Sequence, residues 1–187
     1  MPFEIDSFIE GCRGALATQN PQQNVRELAA RAVSDPSTVL KALGEPTKSQ
    51  IQTLYHSPEL TVLNVIWAPK MTIFPHNHTV WAVIGIYGGR EDNIFWKRRP
   101  GRADGKVEAA GAKSLCDRDA IMLGADIIHS VTNPIPRLTG AIHIYGGDFF
   151  NANRSEWDPE TLIEYPCDVD RLVRQFEEEN KRWFATR

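Results

Sequence analysis

The spacing of apolar residues changes near residue 49, from a helical pattern to a strand-like one. Before that point, NPQQNVRELAARAV predicts a helix with Asn20 as N-cap and Pro21 at the first helical position. DPSTVLKALGEP predicts a second helix, capped by Asp35 and ended by Gly44. An earlier helix is expected around Ile5 to Leu16. The apolar face of the NPQQNVRELAARAV helix is formed by Val25, Leu28, Ala29 and Val33.

From Ile51 to about Phe150 the chain consists of short runs rich in Val, Ile, Trp and Tyr, separated by Pro and Gly. Several short strands at this spacing are typical of an all-β sandwich or barrel. The runs are LTVLNVIWAP, TVWAVIGIYGG, NIFWKRRPG, GKVEAAGAKSL, DAIMLGADIIHSVTN and LTGAIHIYGG.

The tail DVDRLVRQFEEENKRWF returns to helical spacing and predicts a helix that packs on the barrel. Its expected apolar face is Val169, Leu172, Val173 and Phe176. A length of 187 residues fits one domain. We therefore expect a single domain over 1–187, with a helical region at 1–48, a β-barrel core at 50–150 and a C-terminal extension with a helix at 151–187.

Composition and charge exclude several classes of partner. The net charge is −3, with 42% hydrophobic and 24% charged residues, and no basic stripe alternates with aromatic residues. Nucleic acid is therefore not an expected partner. The one basic cluster, Lys97 to Arg99 with Arg102, is interpreted as a solvated loop beside Pro100 and Gly101.

No apolar run approaches the roughly 18 residues needed to cross a bilayer, and the N-terminus lacks the order of a signal peptide. Membrane association is therefore not expected. Cys12, Cys116 and Cys167 are odd in number and far apart, which argues against disulfides and against a paired zinc motif. These features favour a cytoplasmic protein.

Two of the five histidines are only one residue apart, in FPHNHTVWAVIGIYGG. Alternate residues of a strand project from the same face, so His76 and His78 would point together and Asn77 away. Two imidazoles in this relation suit adjacent corners of a metal site, although a surface turn would also account for them. Because Pro75 cannot donate to a sheet, we expect the pair at the entrance of a strand.

Two further histidines lie on apolar segments. His129 is in GADIIHSVTNP, a segment that ends in a turn, and His143 is in GAIHIYGG. On the second strand Ala141, His143 and Tyr145 would share one face, opposite the face with Ile142 and Ile144. The histidine and tyrosine could be inward-facing polar groups of a barrel, or simply a hydrogen-bonded pair in its core.

Taken together, PHNH, WAVIGIYGG, IIHSVTN and AIHIYGGDFF resemble the cysteine dioxygenase group of cupins, also called thiol dioxygenases. The resemblance runs from about Leu60 to Phe150. It implies an all-β core in the cupin double-stranded β-helix, or jelly-roll barrel, with N-terminal helices and a C-terminal helix. It also implies that Fe(II) is bound by His76, His78 and His129, although Ni or Zn could replace iron in purified protein.

The resemblance also assigns a catalytic pair. His143 and Tyr145 match a His–Tyr relay that the family extends with a serine, and Ala141 stands at the serine position. We therefore expect a water or a backbone group to hold the far side of His143. Ala82 or Val83 stands where mammalian-type enzymes have a cysteine crosslinked to the tyrosine, so no such crosslink is expected.

An acidic ligand is not expected beside the three histidines. No acidic residue follows His78 until Glu91, which the spacing puts beyond the strand and its Gly88–Gly89 turn. The set of ligands thus differs from the triad of two histidines and one carboxylate in many iron oxygenases.

The substrate-binding residues are less clearly marked. The family's carboxylate-binding arginine falls near His56 here, and a histidine cannot grip a carboxylate with two parallel hydrogen bonds. Arg90 or Arg137 is a candidate replacement, or each is a solvated charge. Trp81 is a candidate pocket residue, or part of the plain core; the same alternatives hold for Trp67, Phe74 and Tyr87.

The expected function is that of a non-haem Fe(II) dioxygenase that uses O2 to oxidise a small thiol, such as cysteine or 3-mercaptopropionate, to its sulfinate. One alternative is a three-histidine cupin metalloenzyme acting on a small molecule that is not a thiol. Another is a non-catalytic cupin that binds a metal or ligand. The oligomeric state stays open, and a homodimer is compatible with the sequence.

Overall fold

The structure is a computed structural model that describes residues 2–101 and 105–185, in which helices flank a set of short strands. The helices are α1 Ile5–Leu16, α2 Pro21–Val33, α3 Pro36–Leu43 and α4 Val169–Ala185. The strands are β1 Gln50–His56, β2 Thr61–Trp67, β3 Thr72–Asn77, β4 Ala82–Gly88, β5 Arg90–Arg98, β6 Val107–Cys116, β7 Ala120–Leu123, β8 Ile128–Thr132, β9 Thr139–Tyr145, β10 Ser155–Trp157 and β11 Glu164–Pro166.

The strands form two antiparallel sheets, in the orders β1-β2-β9-β4-β7 and β11-β10-β3-β8-β5-β6. Within them the consecutive strands β2 to β9 divide into β2-β9-β4-β7 and β3-β8-β5-β6, which is the strand order of a jelly roll. The predicted all-β core of the double-stranded β-helix class is thus confirmed, with helices at both ends. The run DAIMLGADIIHSVTN supplies two strands, β7 and β8, and not one.

The N-terminal helices begin and end where the sequence predicts. α1 and α2 have the expected bounds, although the side chain of Asn20 makes no capping hydrogen bond. Asp35 does cap α3, because its carboxylate accepts from the backbone N–H of Ser37 at 3.2 Å. Gly44 follows the helix with a φ of 84°, a conformation that favours glycine.

Strand β9 separates two apolar cores. Its residues Ala141 and Tyr145 pack inside the barrel, whereas Ile142 and Ile144 pack against the N-terminal helices. The alternation predicted for this strand is therefore confirmed. Both faces of β2 and β9 are buried, which explains why these two strands are apolar at most positions.

Helix α4 packs on the barrel along a narrower face than the sequence predicts. Leu172 and Phe176 pack on the barrel core, and the Phe176 ring lies 5.5 Å from that of Trp67. Val169 and Val173 are 44% and 49% exposed, so their predicted burial is wrong. Leu172 and Phe176 are spaced four residues apart and face the barrel, and Gln175 reaches β3 by donating to the backbone oxygen of Thr72. Asn180 anchors the helix further on, through hydrogen bonds with Ser49.

The basic segment that was expected to be a solvated loop begins as a strand. Lys97 and Arg98 end β5, where Lys97 pairs with Glu108 at 3.2 Å and Arg98 with Glu164. The strand continues because it pairs with β6 to Arg98. Arg102 lies outside the described residues. No helix in the described ranges is long and apolar enough to cross a membrane.

Asn133 directly follows β8 and holds the chain there through hydrogen bonds of its side chain. Its fully buried side-chain amide donates to the carbonyl oxygens of Trp67, Ala68 and Arg137 at 3.3, 2.9 and 2.8 Å. Its side-chain oxygen accepts from the backbone N–H of Ile135. One side chain therefore satisfies several backbone groups where β8 ends.

Replacing Asn133 with alanine should lower the free energy of unfolding by about 2–4 kcal/mol, because buried carbonyl groups would lose their donor. Urea denaturation followed by circular dichroism measures the change. Asn153→Ala, at an exposed position, is the matched control and should stay within about 0.5 kcal/mol of the parent. Equal effects of the two substitutions would contradict the assignment.

Candidate metal centre

Three histidines meet inside the barrel, where β3 lies beside β8. His76 is on β3, directly opposite His129 on β8, and His78 follows the end of β3. The Nε2 atom of His78 is 3.3 Å from Nε2 of His76 and 3.2 Å from Nε2 of His129. The three imidazole rings, on β3, just after β3 and on β8, thus direct their Nε2 atoms to one point.

His76 and His78 lie at the end of β3. The expectation that they lie at the entrance of a strand is therefore wrong. The register of β3 against β8 shifts between Ile73 and His76, and Pro75 falls within this irregularity. A proline is tolerated there because it has no N–H to donate to the ladder. Asn77 points away from the histidines, as expected, and accepts from the backbone N–H of Ser155 at 2.8 Å.

Carbonyl oxygens on the outer side determine which nitrogen of two rings carries the proton. Nδ1 of His76 donates to the backbone oxygen of Phe74 at 3.0 Å, and Nδ1 of His129 donates to Oδ1 of Asn93 at 2.7 Å. An amide oxygen only accepts, so Nδ1 must be protonated in both rings. The lone pairs of Nε2 are then free for a metal.

The geometry of the three nitrogens fits one metal ion. Two nitrogens bound to the same ion at about 2.1 Å and at 90–110° lie about 3.0–3.4 Å apart. The distances of 3.2 and 3.3 Å fall in this range. Among the described residues, His76, His78 and His129 form a group whose ligand atoms all lie within 4.8 Å of one another. The group could hold a metal ion through neutral imidazoles.

Burial keeps these imidazoles uncharged. It lowers the pKa of His76 from 6.5 to about 4, against an opposing effect of the hydrogen bond to Phe74. Burial also lowers the pKa of His78 and of His129 well below 6.5, and the neighbouring histidines lower it further. A metal ion requires the neutral form, so burial of the site favours binding near neutral pH.

Tyr145 and His143 lie next to the three histidines. The Tyr145 hydroxyl is 3.2 Å from Nδ1 of His143, and the Tyr145 ring lies edge-on to that of His78 with centroids 5.0 Å apart. Phe149 stacks on the tyrosine at 4.1 Å. Burial raises the pKa of Tyr145, so its hydroxyl keeps its proton and can donate a hydrogen bond.

Glu91 lies beyond β4 and its Gly88–Gly89 turn, as the sequence predicts, but the sequence did not reveal its place beside His143. The carboxylate is fully buried, on the inward face of β5, and accepts from Nε1 of Trp67 at 2.8 Å and from Nδ2 of Asn93 at 3.0 Å. Its Oε2 is 3.5 Å from Nε2 of His143. The far side of His143 therefore faces a carboxylate, and the expected water or backbone group is not what this ring meets.

The ionised form of Glu91 is favoured despite its burial. Burial alone raises the pKa of this carboxyl, but His143, Asn93 and Trp67 together lower it below the ordinary value. Glu91 does not belong to the ligand group of the three histidines. Its alternation with Asn93 on one strand was readable in REDNIF by the same rule that paired His76 with His78.

Arg154 is a second charged residue of the site that the sequence did not reveal. It precedes β10, is only 6% exposed and lines the cavity of the three histidines. Its guanidinium lies over the Phe149 ring, with Cζ 4.0 Å from the centroid, and its buried Nε has no hydrogen-bond partner. The segment NANRSEW has no periodicity that would have indicated this position.

The cavity is otherwise mainly apolar and is closed by α4. Leu172 and Phe176 of this helix form part of its wall, and Cys167 contributes a thiol. The free space is about 40 Å³, more than the roughly 10–15 Å³ that a cavity needs to hold one water molecule. The site therefore suits a small ligand.

The residues suggested for substrate binding, His56, Arg90 and Trp81, lie outside the histidine cavity. His56 pairs with Asp148 at 2.9 Å, and Arg90 pairs with Asp92 at 2.7 Å; neither lines the histidine cavity. Trp81 packs in the core on the side of the N-terminal helices. Arg137 and Tyr87 line a separate groove of about 860 Å³. Of the other suggested aromatic residues, the cavity is lined by Trp67 and Phe74.

The sequence matches no family profile and no curated protein. A solved structure similar to this chain is an RmlC-like cupin with a double-stranded β-helix fold from Methanocaldococcus jannaschii. It is 7% identical, with a TM-score of 0.47 over 58% of this chain and 91% of the other. DMSP lyase DddQ from Ruegeria pomeroyi DSS-3 is 16% identical, with a TM-score of 0.46 over 60% of this chain and 53% of the lyase.

Oxalate decarboxylase from Bacillus subtilis, a protein with Mn(II) centres, is 12% identical, with a TM-score of 0.39 over 49% of this chain and 22% of the decarboxylase. Each of these similarities covers 49–60% of this chain, at 7–16% sequence identity. The chain's own strand order shows the double-stranded β-helix independently of them.

The buried histidines should make the metal-free protein less stable in mild acid. Their folded-state pKa values lie below the unfolded value of 6.5, so the unfolded chain binds more protons once the pH falls through 6.5. For His76 this loss of stability continues down to about pH 4. Each such histidine contributes a slope of up to about 1.4 kcal/mol per pH unit.

Urea denaturation of metal-free protein between pH 7 and pH 5 measures this slope. His76→Gln should reduce it by the contribution of one group, and Asn153→Ala, a change of an exposed neutral side chain, should leave it unchanged. A slope that stays the same in the His76→Gln variant would show that this imidazole does not titrate as described.

Proposed function

We propose that the protein is an Fe(II)-dependent dioxygenase that oxidises a small, negatively charged thiol to its sulfinate. The observation that carries the proposal is that one cavity contains both the cluster of His76, His78 and His129 and the His143–Tyr145 pair. A purely structural metal site would need the three ligands but not a buried tyrosine hydroxyl beside them.

The three histidines would hold the metal through Nε2. When bound, Fe(II) supplies open coordination positions at which a thiolate and O2 can react. The reaction is balanced without a further reductant, because one thiolate and one O2 together contain the atoms and electrons of one sulfinate. The apolar wall, including Leu172 and Phe176, excludes water from this reaction.

Tyr145 would act as a hydrogen-bond donor at the reacting oxygen atoms. Its hydroxyl remains protonated because burial raises its pKa, and its ring is fixed between His78 and Phe149. Without substrate this hydroxyl donates to Nδ1 of His143 at 3.2 Å, and its single proton would turn toward the reacting oxygen atoms when they are present. The residue therefore directs a proton into the cavity without adding charge.

The buried guanidinium of Arg154 favours a negatively charged substrate. Its guanidinium is permanently charged, and among the described residues it pairs with no carboxylate. A buried charge without a partner is costly, so a carboxylate bound there would offset that cost. The position on the cavity wall would let one small molecule contact Arg154 with its acid group and the metal with its sulfur.

A second candidate is a three-histidine metalloenzyme that acts on a small carboxylate without a thiol. It is favoured by the same arginine, together with a cavity wall that is mainly apolar. Oxygen-uptake assays with thiols and with the matching hydroxy acids separate these candidates. A protein that binds Fe(II) but consumes oxygen with neither class would instead be a non-catalytic metal-binding cupin.

Substitutions in the site should separate metal binding from turnover. His129→Ala should lose iron and thiol-dependent oxygen uptake together, because one of three ligands is removed. Tyr145→Phe should keep one iron per chain and lower kcat by about 10²–10⁴-fold, the range of a lost proton donor. Metal analysis and an oxygen electrode measure both quantities. Retention of iron in His129→Ala would contradict the ligand assignment.

Arg154→Gln should raise KM for 3-mercaptopropionate by about 10–100-fold, since a charge-assisted hydrogen bond contributes about 1.5–3 kcal/mol. It should leave KM for 2-mercaptoethanol, which has no acid group, almost unchanged. Arg90→Gln is the matched control, because Arg90 is paired with Asp92 outside the cavity. Equal effects of Arg154→Gln on both thiols would exclude an anion-binding role.

A further inference from the structure

Glu91 and Asn93 form a buried polar chain between two parts of the site. Both project from the same face of β5, and both are at most 1% exposed. Asn93 contacts His129 on one side and Glu91 on the other. Glu91 in turn faces His143. The only ion-pair partner of the carboxylate in the described part of the chain is this histidine.

The carboxylate determines how the Asn93 amide is turned. An ionised carboxylate can only accept hydrogen bonds, so the NH2 group of Asn93 must face Oε1 of Glu91, at 3.0 Å. The amide oxygen is then turned to Nδ1 of His129, at 2.7 Å. That contact requires a proton on Nδ1 and leaves the lone pair on Nε2, the atom that faces His78.

The same carboxylate acts on the His–Tyr pair. Oε2 of Glu91 is 3.5 Å from Nε2 of His143, and that nitrogen has no closer hydrogen-bond partner in the described ranges. A nearby negative charge favours a proton on Nε2. The unprotonated Nδ1 can then accept from the Tyr145 hydroxyl at 3.2 Å. Trp67 holds the carboxylate in place by donating to Oε2 at 2.8 Å.

We infer that Glu91 is a positioning residue that sets the protonated nitrogen of His129 and of His143 at once, and thereby couples the metal site to Tyr145. Glu91 faces the side of His143 for which the alanine at position 141 provides no hydroxyl. The inference rests on the proposed function for its effect on activity, but the tautomer of His129 is a property of the metal-free protein.

Glu91→Gln tests the inference because it removes the charge and keeps the shape. The new amide no longer dictates which way Asn93 faces, so His129 should populate both tautomers. Long-range proton–nitrogen correlation spectra of metal-free protein labelled with ¹⁵N-histidine measure this. The parent should show a single Nδ1–H form of His129. Asp92→Asn is the matched control, since Asp92 pairs with Arg90 on the opposite face, and it should behave like the parent.

A double variant, Glu91→Gln with Asn93→Asp, exchanges the carboxylate and the amide without changing their shapes. A carboxylate at position 93 accepts from Nδ1 of His129 in either orientation, so the single tautomer should return. His143 would still lack its charged neighbour. The double variant should therefore regain metal affinity but keep the slower turnover of Glu91→Gln.

Titration with Co(II) alone measures the affinity. Glu91→Gln should weaken binding by about 10–100-fold, the usual effect of losing a partner of a ligand histidine, and the double variant should reverse most of this. A single Nδ1–H form of His129 in Glu91→Gln, with Co(II) affinity within about twofold of the parent, would overturn the inference.

The outcomes remain distinguishable from failure of the proposed function. If the parent binds Co(II) but oxidises no thiol, the proposed reaction is wrong while the tautomer result still decides the role of Glu91. If Glu91→Gln does not fold, a folded double variant with a single Nδ1–H form of His129 would support the inference, and two tautomers in it would overturn it. Loss of folding in both variants would make Glu91 a structural residue only and would overturn the inference.

Discussion

The site depends on three uncharged imidazoles that face one another in a cavity from which water is largely excluded. Nε2 atoms at 3.2 and 3.3 Å would repel strongly if protonated, so burial and the outer hydrogen bonds must keep them neutral. The pairing of β3 with β8 places His76 opposite His129. The jelly roll therefore holds a cluster that would not persist on a mobile loop, and a divalent ion would relieve its unfavourable electrostatics.

The two buried charges near this cluster have different consequences. Glu91 has its hydrogen-bond partners inside the protein, whereas the Nε of Arg154 has none. The carboxylate is thus part of the fixed structure, and the guanidinium is available to a ligand. Under the proposed function, three neutral imidazoles with a bound divalent ion and one permanent cation would together favour a substrate that brings negative charge, such as a thiolate with an acid group.

The fold was largely predictable because its signals are local. Pro21, Asp35 and Gly44 mark helix ends by their own backbone preferences, and alternation on β9 separates its two faces. The residues that the sequence missed depend on long-range packing. Nothing local distinguishes Arg154 from a solvated arginine, because its burial arises from Phe149 and the cavity wall. Glu91 lies beyond the Gly88–Gly89 turn as predicted, but its contact with His143 depends on how β5 and β9 come together in the barrel.

The most direct test of the central claim is the fate of oxygen in a single assay. Iron-loaded protein is supplied with 3-mercaptopropionate under ¹⁸O2, and the product is analysed by mass spectrometry. We predict one sulfinate per O2 consumed, with both oxygen atoms of the sulfinate derived from ¹⁸O2. A product with one labelled atom, or oxygen uptake that yields only disulfide and peroxide, would contradict the assignment of the three-histidine cavity as a thiol dioxygenase site.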